Sequence, residues 1–234
     1  HNAGDGDHLT FEMGEEYRVE HCVDDDDAAA VLRQIRAADA QSDWVVASVH
    51  AHEGTDGDRN DESVPGFLES FARDCVDAGA DAVVGHGPHV LRGVELYEGA
   101  PIFYSLGNLL MQNETVSRLP AEIYERYDLD SQDALPAELF DERVFDEHGE
   151  RKGFLSDRKF WESVVPVCSF GDGGLERVDL YPAELGFERS RTGRGWPRIA
   201  TDETATRILD RLADLSEPYG TAIDVEDGVG VIRP

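Results

Sequence analysis

The chain has 234 residues, enough for one domain with a sizeable core or two small ones. Its apolar content of 40% is that of a globular protein and excludes global disorder. Fifty Asp and Glu against 21 Lys and Arg give a formal net charge of −29, a surface that repels DNA, RNA and anionic membranes and disfavours a nucleic-acid partner.

Only two basic residues are lysines, Lys152 and Lys159. An acid-rich, lysine-poor surface suits a halophile, where screening shrinks to about 3 Å at 1 M salt. An anionic substrate would need local positive charge, which a metal could supply. Cys22, Cys75 and Cys168 form no CxxC pair and read as small hydrophobes. No apolar run reaches the length of a membrane-spanning helix, and no signal peptide is seen. The chain starts at His1 rather than Met, which reads as a processed or partial piece.

Residues 1–23 are expected to be irregular or to hold a short strand. Asp24 to Asp27 then sit at the N-terminus of a helix, where acids offset the dipole. Its apolar face is Ala28, Val31, Leu32, Ile35 and Ala38. Trp44 to Val49 predicts a buried strand. Thr55 to Ser63 is a turn-rich acidic segment. Pro65 opens a second helix carrying Leu68, Phe71, Ala72, Cys75 and Val76, closed near Gly79. Asp81 to Val84 is the next strand, completing a βαβ unit with parallel strands.

Val94 to Tyr97 and Ile102 to Leu106 predict two more strands around Glu98-Gly99. Residues 112–160 are charged and weakly periodic, and read as an insertion or lid, partly helical and mobile. Ser163 to Phe170 and Leu175 to Tyr181 flank Gly171-Asp172-Gly173-Gly174 as a hairpin. Ala205, Ile208, Leu209 and Leu212 mark a late helix. Thr221 to Ile232 reads as a loop and a short strand.

Four of the eight histidines fall in two tight groups. His50-Ala51-His52-Glu53 directly follows the strand Trp44–Val49. Gly85-His86-Gly87-Pro88-His89 directly follows the strand Asp81–Val84. Sites in open α/β sheets gather at the carboxyl ends of strands, so parallel neighbours bring both groups to one edge. Gly85 and Gly87 let the backbone turn and Pro88 stiffens the turn, so that His86 and His89 can project into one cavity. Imidazole is the commonest side-chain metal ligand near neutral pH. A metal or catalytic role therefore outweighs scattered surface histidines.

Competing motifs fail. Gly85-His86-Gly87 lacks the third glycine of a dinucleotide fingerprint, because position 90 is Val. His52-Glu53 lacks the second histidine of HExxH, because position 56 is Asp. Asp56, Asp58 and Asn60 suggest a calcium loop, but Asp61 and Phe67 stand where Gly and Glu are needed. That segment reads as a solvated loop. Ser48 and Ser105 lack a GxSxG context.

The stretches DWVVASVHAHEG, DCVDAGADAVVGHGPHVLRGVELYEGAPIFYSLGNLL and LSEPYGTAIDVEDGVGVI resemble the CapA-type family of poly-γ-glutamate capsule synthesis proteins. That family has the fold of calcineurin-like metallophosphoesterases. The middle stretch, from strand through GHxPH to YSLGN, is the specific one. The resemblance implies an α/β fold of layered sheets with flanking helices in one domain over 1–234. It implies His50, His86 and His89 as metal ligands, with His86 or His89 also a candidate catalytic acid. Asn108, in SLGN, shapes the site floor. Ala51 stands where the family often has Trp, and His52 and Glu53 are supporting or substrate-facing groups. The Gly-Asp, Asn-Glu and Asn-His-Asp motifs of the family's first half are missing. Gly4-Asp5 and Gly6-Asp7 lack the apolar strand context and do not replace them. The chain is thus expected to be roughly the second half of the family domain.

The resemblance implies a metal-dependent hydrolase fold with divalent Mn, Fe or Zn, two ions in a complete domain. The substrate would be an anionic polymer or a phosphoester, and the partners polyglutamate synthase components. The oligomeric state is left open. The alternative is a non-catalytic, polymer-binding accessory component. Location at a cell surface or membrane is implied by the family alone. A polyanion beside so acidic a protein needs cations or a basic groove. Arg59, Arg92 and Arg118 are the nearest arginines in sequence, and read as surface residues serving solubility.

Overall fold

The computed structural model describes residues 13–15, 18–55, 59–112 and 115–234. The expectation for most of 1–17, the rejected Gly4-Asp5 and Gly6-Asp7 pairs, and the reading of Asp56 and Asp58 lie outside those residues.

The first helix, α1 (Asp25–Asp39), begins where Asp24 caps it, its carboxylate accepting from the amides of Asp26 and Asp27 at 3.0 Å. Such a cap stabilises a helix by about 1 kcal/mol. Strand β1 (Val46–His50) follows, then α2 (Gly66–Asp77) and strand β2 (Ala82–His86). Strands β3 (Val94–Tyr97) and β4 (Ala100–Phe103) form a hairpin. Glu98 and Gly99 both take positive φ at its turn, the backbone that two-residue hairpins favour. The sheet order is β1-β2-β4-β3, with β1, β2 and β4 parallel and β3 antiparallel.

In the segment 112–160 two short helices, α3 (Ala121–Glu125) and α4 (Pro136–Val144), bear out the partly helical expectation. Tyr124, Leu139, Phe140 and Val144 are buried there. The chain then forms β5 (Glu162–Gly171) and β6 (Gly174–Glu184), a long hairpin around Asp172-Gly173. After β7 (Arg198–Ile199) and α5 (Asp202–Ser216) come β8 (Asp224–Glu226) and β9 (Val229–Ile232). The second sheet is antiparallel in the order β5-β6-β9-β8, with β7 added to β6.

The result is the expected mixed α/β architecture of two sheets with flanking helices. Leu68, Ala72 and Cys75 of α2 pack with Val83, Ile102 and Tyr104 of the first sheet and its extension. Ala205, Ile208, Leu209 and Leu212 of α5 join Val94 and Phe103 of the first sheet to Val164, Val178, Leu180 and Ile232 of the second. Each fully buried aliphatic side chain contributes about 1.5–3 kcal/mol. The sheets meet where Gly107 bridges Ser163, and Ser163 Oγ donates to the Leu106 carbonyl at 2.6 Å. Among the described residues no helix is long and apolar enough to cross a membrane.

Four expectations need correction. The ladder pairs His50 with His86, so both histidines are the last residues of their strands rather than the first of the loops. The strand β1 is not buried: it is the edge of its sheet, with Trp44 49% and Val46 63% exposed. Gly85 does not make the turn. It lies inside β2, where a Cβ would sit 2.3 Å from the Tyr104 carbonyl oxygen, so its role is close backbone approach. The strand predicted over Ile102–Leu106 runs from Ala100 to Phe103. The chain beyond it pairs instead with the loop after β2, through Tyr104 N to Gly93 O and a Leu91–Leu106 bridge.

Candidate functional site

Strands β1 and β2 are parallel neighbours in register, so they deliver His50 and His86 side by side. Side chains alternate along a strand, which places Ser48 on the same face as His50. Ser48 Oγ lies 2.9 Å from His86 Nε2, and His86 Nδ1 lies 2.9 Å from His50 Nδ1. One of those two Nδ1 atoms must carry a proton and the other accept it.

The loops leaving the two strands are locked together. The Ala51 amide donates to the His86 carbonyl at 2.8 Å. Gly87, at φ +122°, passes so close that a Cβ would lie 2.8 Å from the Ala51 oxygen. His89 is itself held at φ +64°, a backbone that non-glycine residues adopt sparingly. That packing brings in the other two imidazoles. The ring centroids are 4.9 Å apart for His50 and His52, 4.8 Å for His50 and His86, and 5.3 Å for His52 and His89. All four histidines of the two sequence groups therefore form one cluster. His50 and His86 are exposed at its mouth, while His52 and His89 are half-buried.

Two amides orient the inner rings. Asn108 donates through Nδ2 to the carbonyls of His89 (3.2 Å) and Phe160 (2.9 Å), so its Oδ1 faces His89 Nδ1 at 2.8 Å. Nδ1 then carries the proton and Nε2 is the basic nitrogen. Asn60 Oδ1 holds His52 Nδ1 in the same way at 2.7 Å. The pKa of His50 is lowered, first by partial desolvation and then by the like charge that His86, His52 and His89 would carry. That shift favours the neutral, ligating form of His50.

The donor chemistry, neutral imidazole at a strand edge, fits a divalent ion such as Zn, Mn or Fe. Among the described residues, however, no group of three or more His, Cys, Asp or Glu side chains is placed so as to hold a metal ion. His50 and His86 are hydrogen-bonded to each other and His52 and His89 to their own asparagines, so the rings would have to turn to share one.

Glu53 is half-buried, and its backbone carbonyl accepts from Arg92 Nη2 at 2.8 Å. Arg92 is not a surface residue. It is wholly buried, donates through Nε to the Asp61 carbonyl at 3.0 Å, and faces the Asp61 carboxylate at 3.6 Å. It thus ties the loop carrying His52 and Asn60 to the segment after His89. Burial pulls its pKa down, and Asp61 opposes that shift. Arg59 and Arg118 are exposed, as expected. Ser48, Asn60, Asp61 and Arg92 were not picked out as site residues from sequence. The available signal for Asn60 and Asp61 was their place between the two histidine groups, masked by the acidic composition around them.

A family of bacterial capsule synthesis proteins, PGA_cap, matches residues 4–113, the region that holds the whole imidazole cluster. An uncharacterized protein of Sinorhizobium fredii, y4sH, is 39% identical over 227 residues, 96% of this chain and 48% of that protein. The PGA biosynthesis protein CapA of Bacillus subtilis is 42% identical over 84 residues, 36% of this chain and 21% of that protein. A protein of Mycobacterium tuberculosis named "Probable polyglutamine synthesis accessory protein" is 36% identical over 94 residues, 40% of this chain and 22% of its own length. The chain spans about half the length of the Sinorhizobium relative and a smaller share of the others.

Proposed function

We propose that the chain, whose residues 4–113 match the bacterial capsule synthesis family and part of which is similar to CapA proteins, is a CapA-type metal-dependent hydrolase-fold protein acting in the synthesis or processing of poly-γ-glutamate. One observation carries the reading: four imidazoles meet at the carboxyl edge of two parallel strands, with His50 opposite His86 in register. Scattered surface histidines would not share hydrogen bonds and carry their own orienting amides.

His50, His86 and His89 would hold the metal. A divalent ion bound there supplies Lewis-acid polarisation of the bond attacked and an activated water. The chain's own residues do the rest. Asn108 fixes the His89 tautomer so that Nε2 is its basic nitrogen. Asn60 does the same for His52, making it a candidate contact for substrate beside Glu53. In the alternative arrangement one of His86 and His89 holds no metal and, in its protonated form, hands a proton to the leaving group from an exposed or half-buried position. The substrate would be an anionic polymer or a phosphoester, and the setting a polyglutamate synthase assembly at the cell surface.

The second reading, a polymer-binding accessory without turnover, draws on the lack of a three-ligand group among the described residues and on the name of the mycobacterial relative. Metal content separates the two. Purified protein should carry transition metal that falls sharply in His86→Ala and His89→Ala. Near-zero metal in all three would sink the metal reading. Bound metal without Mn²⁺-dependent cleavage of a generic phosphodiester would favour the accessory role.

A further inference from the structure

A polyanion cannot approach a protein with 50 acidic and 21 basic residues unless positive charge is concentrated somewhere. Such a place exists, away from the arginines nearest the histidines in sequence. A pocket is lined by Arg143, Arg191 and Arg194, with no Asp or Glu among its lining residues. Its remaining walls are Gln112 and an apolar floor of Met111, Phe140, Val144, Leu155 and Trp161. Helix α4 supplies Arg143, and the loop before β7 supplies the other two arginines.

The arginines differ in exposure. Arg194 is 8% exposed, its guanidinium 5.8 Å from the Phe145 ring. Arg191 reaches the Asp141 carboxylate at the rim. Arg143 is exposed at the mouth. The Trp161 indole is fixed by its donation to the Leu155 carbonyl at 3.1 Å. The cavity volume is about 30 Å³. A water needs roughly 10–15 Å³ by that measure, so the space admits only a small polar group. A carboxylate is the small anionic group a glutamate polymer offers, and an arginine fork grips it with two parallel hydrogen bonds.

We infer that this pocket is a subsite for single carboxylate groups of a glutamate polymer, an inference that rests on the anionic-polymer half of the proposed function. The pocket is coupled to the imidazole cluster by Asn108. That side chain meets both His89 and the carbonyl of Phe160, and the next residue, Trp161, lines the pocket along with Met111. A chain held by one carboxylate there would be tethered beside the histidines, and its successive side groups could exchange in the pocket as the chain slides.

The test is calorimetric titration with a poly-γ-glutamate oligomer of about ten residues and, separately, a dextran sulfate of equal charge, at constant salt. Bound metal is measured on each sample. Arg143 is exposed, so Arg143→Glu should fold normally. It should weaken glutamate-polymer binding about tenfold or more, with metal content unchanged, because one charge-assisted contact is replaced by repulsion. Arg143→Lys, which keeps the charge and loses the fork, should fall between. Wild-type affinity in Arg143→Glu overturns the pocket and leaves the polymer reading standing. Dextran sulfate bound as tightly, and weakened equally by the substitution, overturns the carboxylate assignment in favour of general charge attraction. A wild type that binds no glutamate polymer overturns the pocket outright, while its metal content reports separately on the histidine site.

Discussion

His50 and His86 occupy paired positions at the ends of adjacent parallel strands, with their Nδ1 atoms 2.9 Å apart. Two bases at hydrogen-bond distance can share one proton but cannot both be charged without repulsion. The proposed metal would enter at this pair.

Asn108 is the residue that converts His89 from a ring into an oriented donor. Asn108→Ala removes the acceptor at His89 Nδ1 and two donated bonds. The expected loss is about 10–100-fold in metal affinity, the usual effect of removing an orienting partner. Competition with a chelator of known affinity measures it. An unchanged affinity would mean that His89 is not a ligand.

Arg92→Leu should destabilise the fold by about 1–3 kcal/mol, because it leaves the half-buried Asp61 carboxylate without its partner. The carbonyls of Glu53 and Asp61 would lose their donor as well. Urea unfolding gives the number. A cost under about 1 kcal/mol, the range of exposed ion pairs, would show that the guanidinium is solvated in solution.

Gly85→Ala and Gly99→Ala separate close approach from turn geometry. A Cβ at Gly85 meets the Tyr104 carbonyl, so the strands must shift, at about 3 kcal/mol, and His86 moves with them. Nothing lies within 4 Å of a Cβ at Gly99, where only the positive φ resists, at about 1 kcal/mol. Comparison of melting temperatures should give the first variant clearly the larger fall.

Cys75 is 1% exposed, and burial pushes its thiol up to about 11 from 9.0. A disulfide reagent at pH 8 should label exposed Cys22 quickly and leave Cys75 untouched until the chain unfolds. The unfolded chain ionises this thiol first, so its contribution to stability falls as pH rises from about 9 toward 11. A Cys75→Ala variant should lose that part of the alkaline decline.

The helices were legible because their apolar spacing is a local property: Ile35, Leu68, Ala72 and Leu209 are buried where periodicity put them. The hairpins were legible through their turn residues, as at Glu98-Gly99. The grouping of the four histidines followed from strand ends alone. Which strand lies at an edge is a property of the whole sheet, and so β1 looked buried when it is not. Arg92 was misread for a similar reason. Its partners lie 31 and 39 residues away in sequence, and nothing local marks an arginine for the interior. The basic pocket was hidden in the same way, since α4 and the loop before β7 become neighbours only when folded. Strand β7 and the pairing of β8 with β9 are short and depend on the sheet they join.

The bridge between Gly107 and Ser163 brings the chain back, after residues 108–162, to the point it left. A loop whose ends are fastened together can change length cheaply, since each doubling costs only about 0.6 kcal/mol. On that ground the segment would tolerate replacement. Its interior, residues 109–159, carries Arg143 but none of the four clustered histidines and neither Asn108 nor Phe160, so exchanging that part would alter the proposed polymer subsite while leaving the strand-end chemistry in place. If the chain grips a polymer as proposed, the choice of polymer would change through this one insertion point.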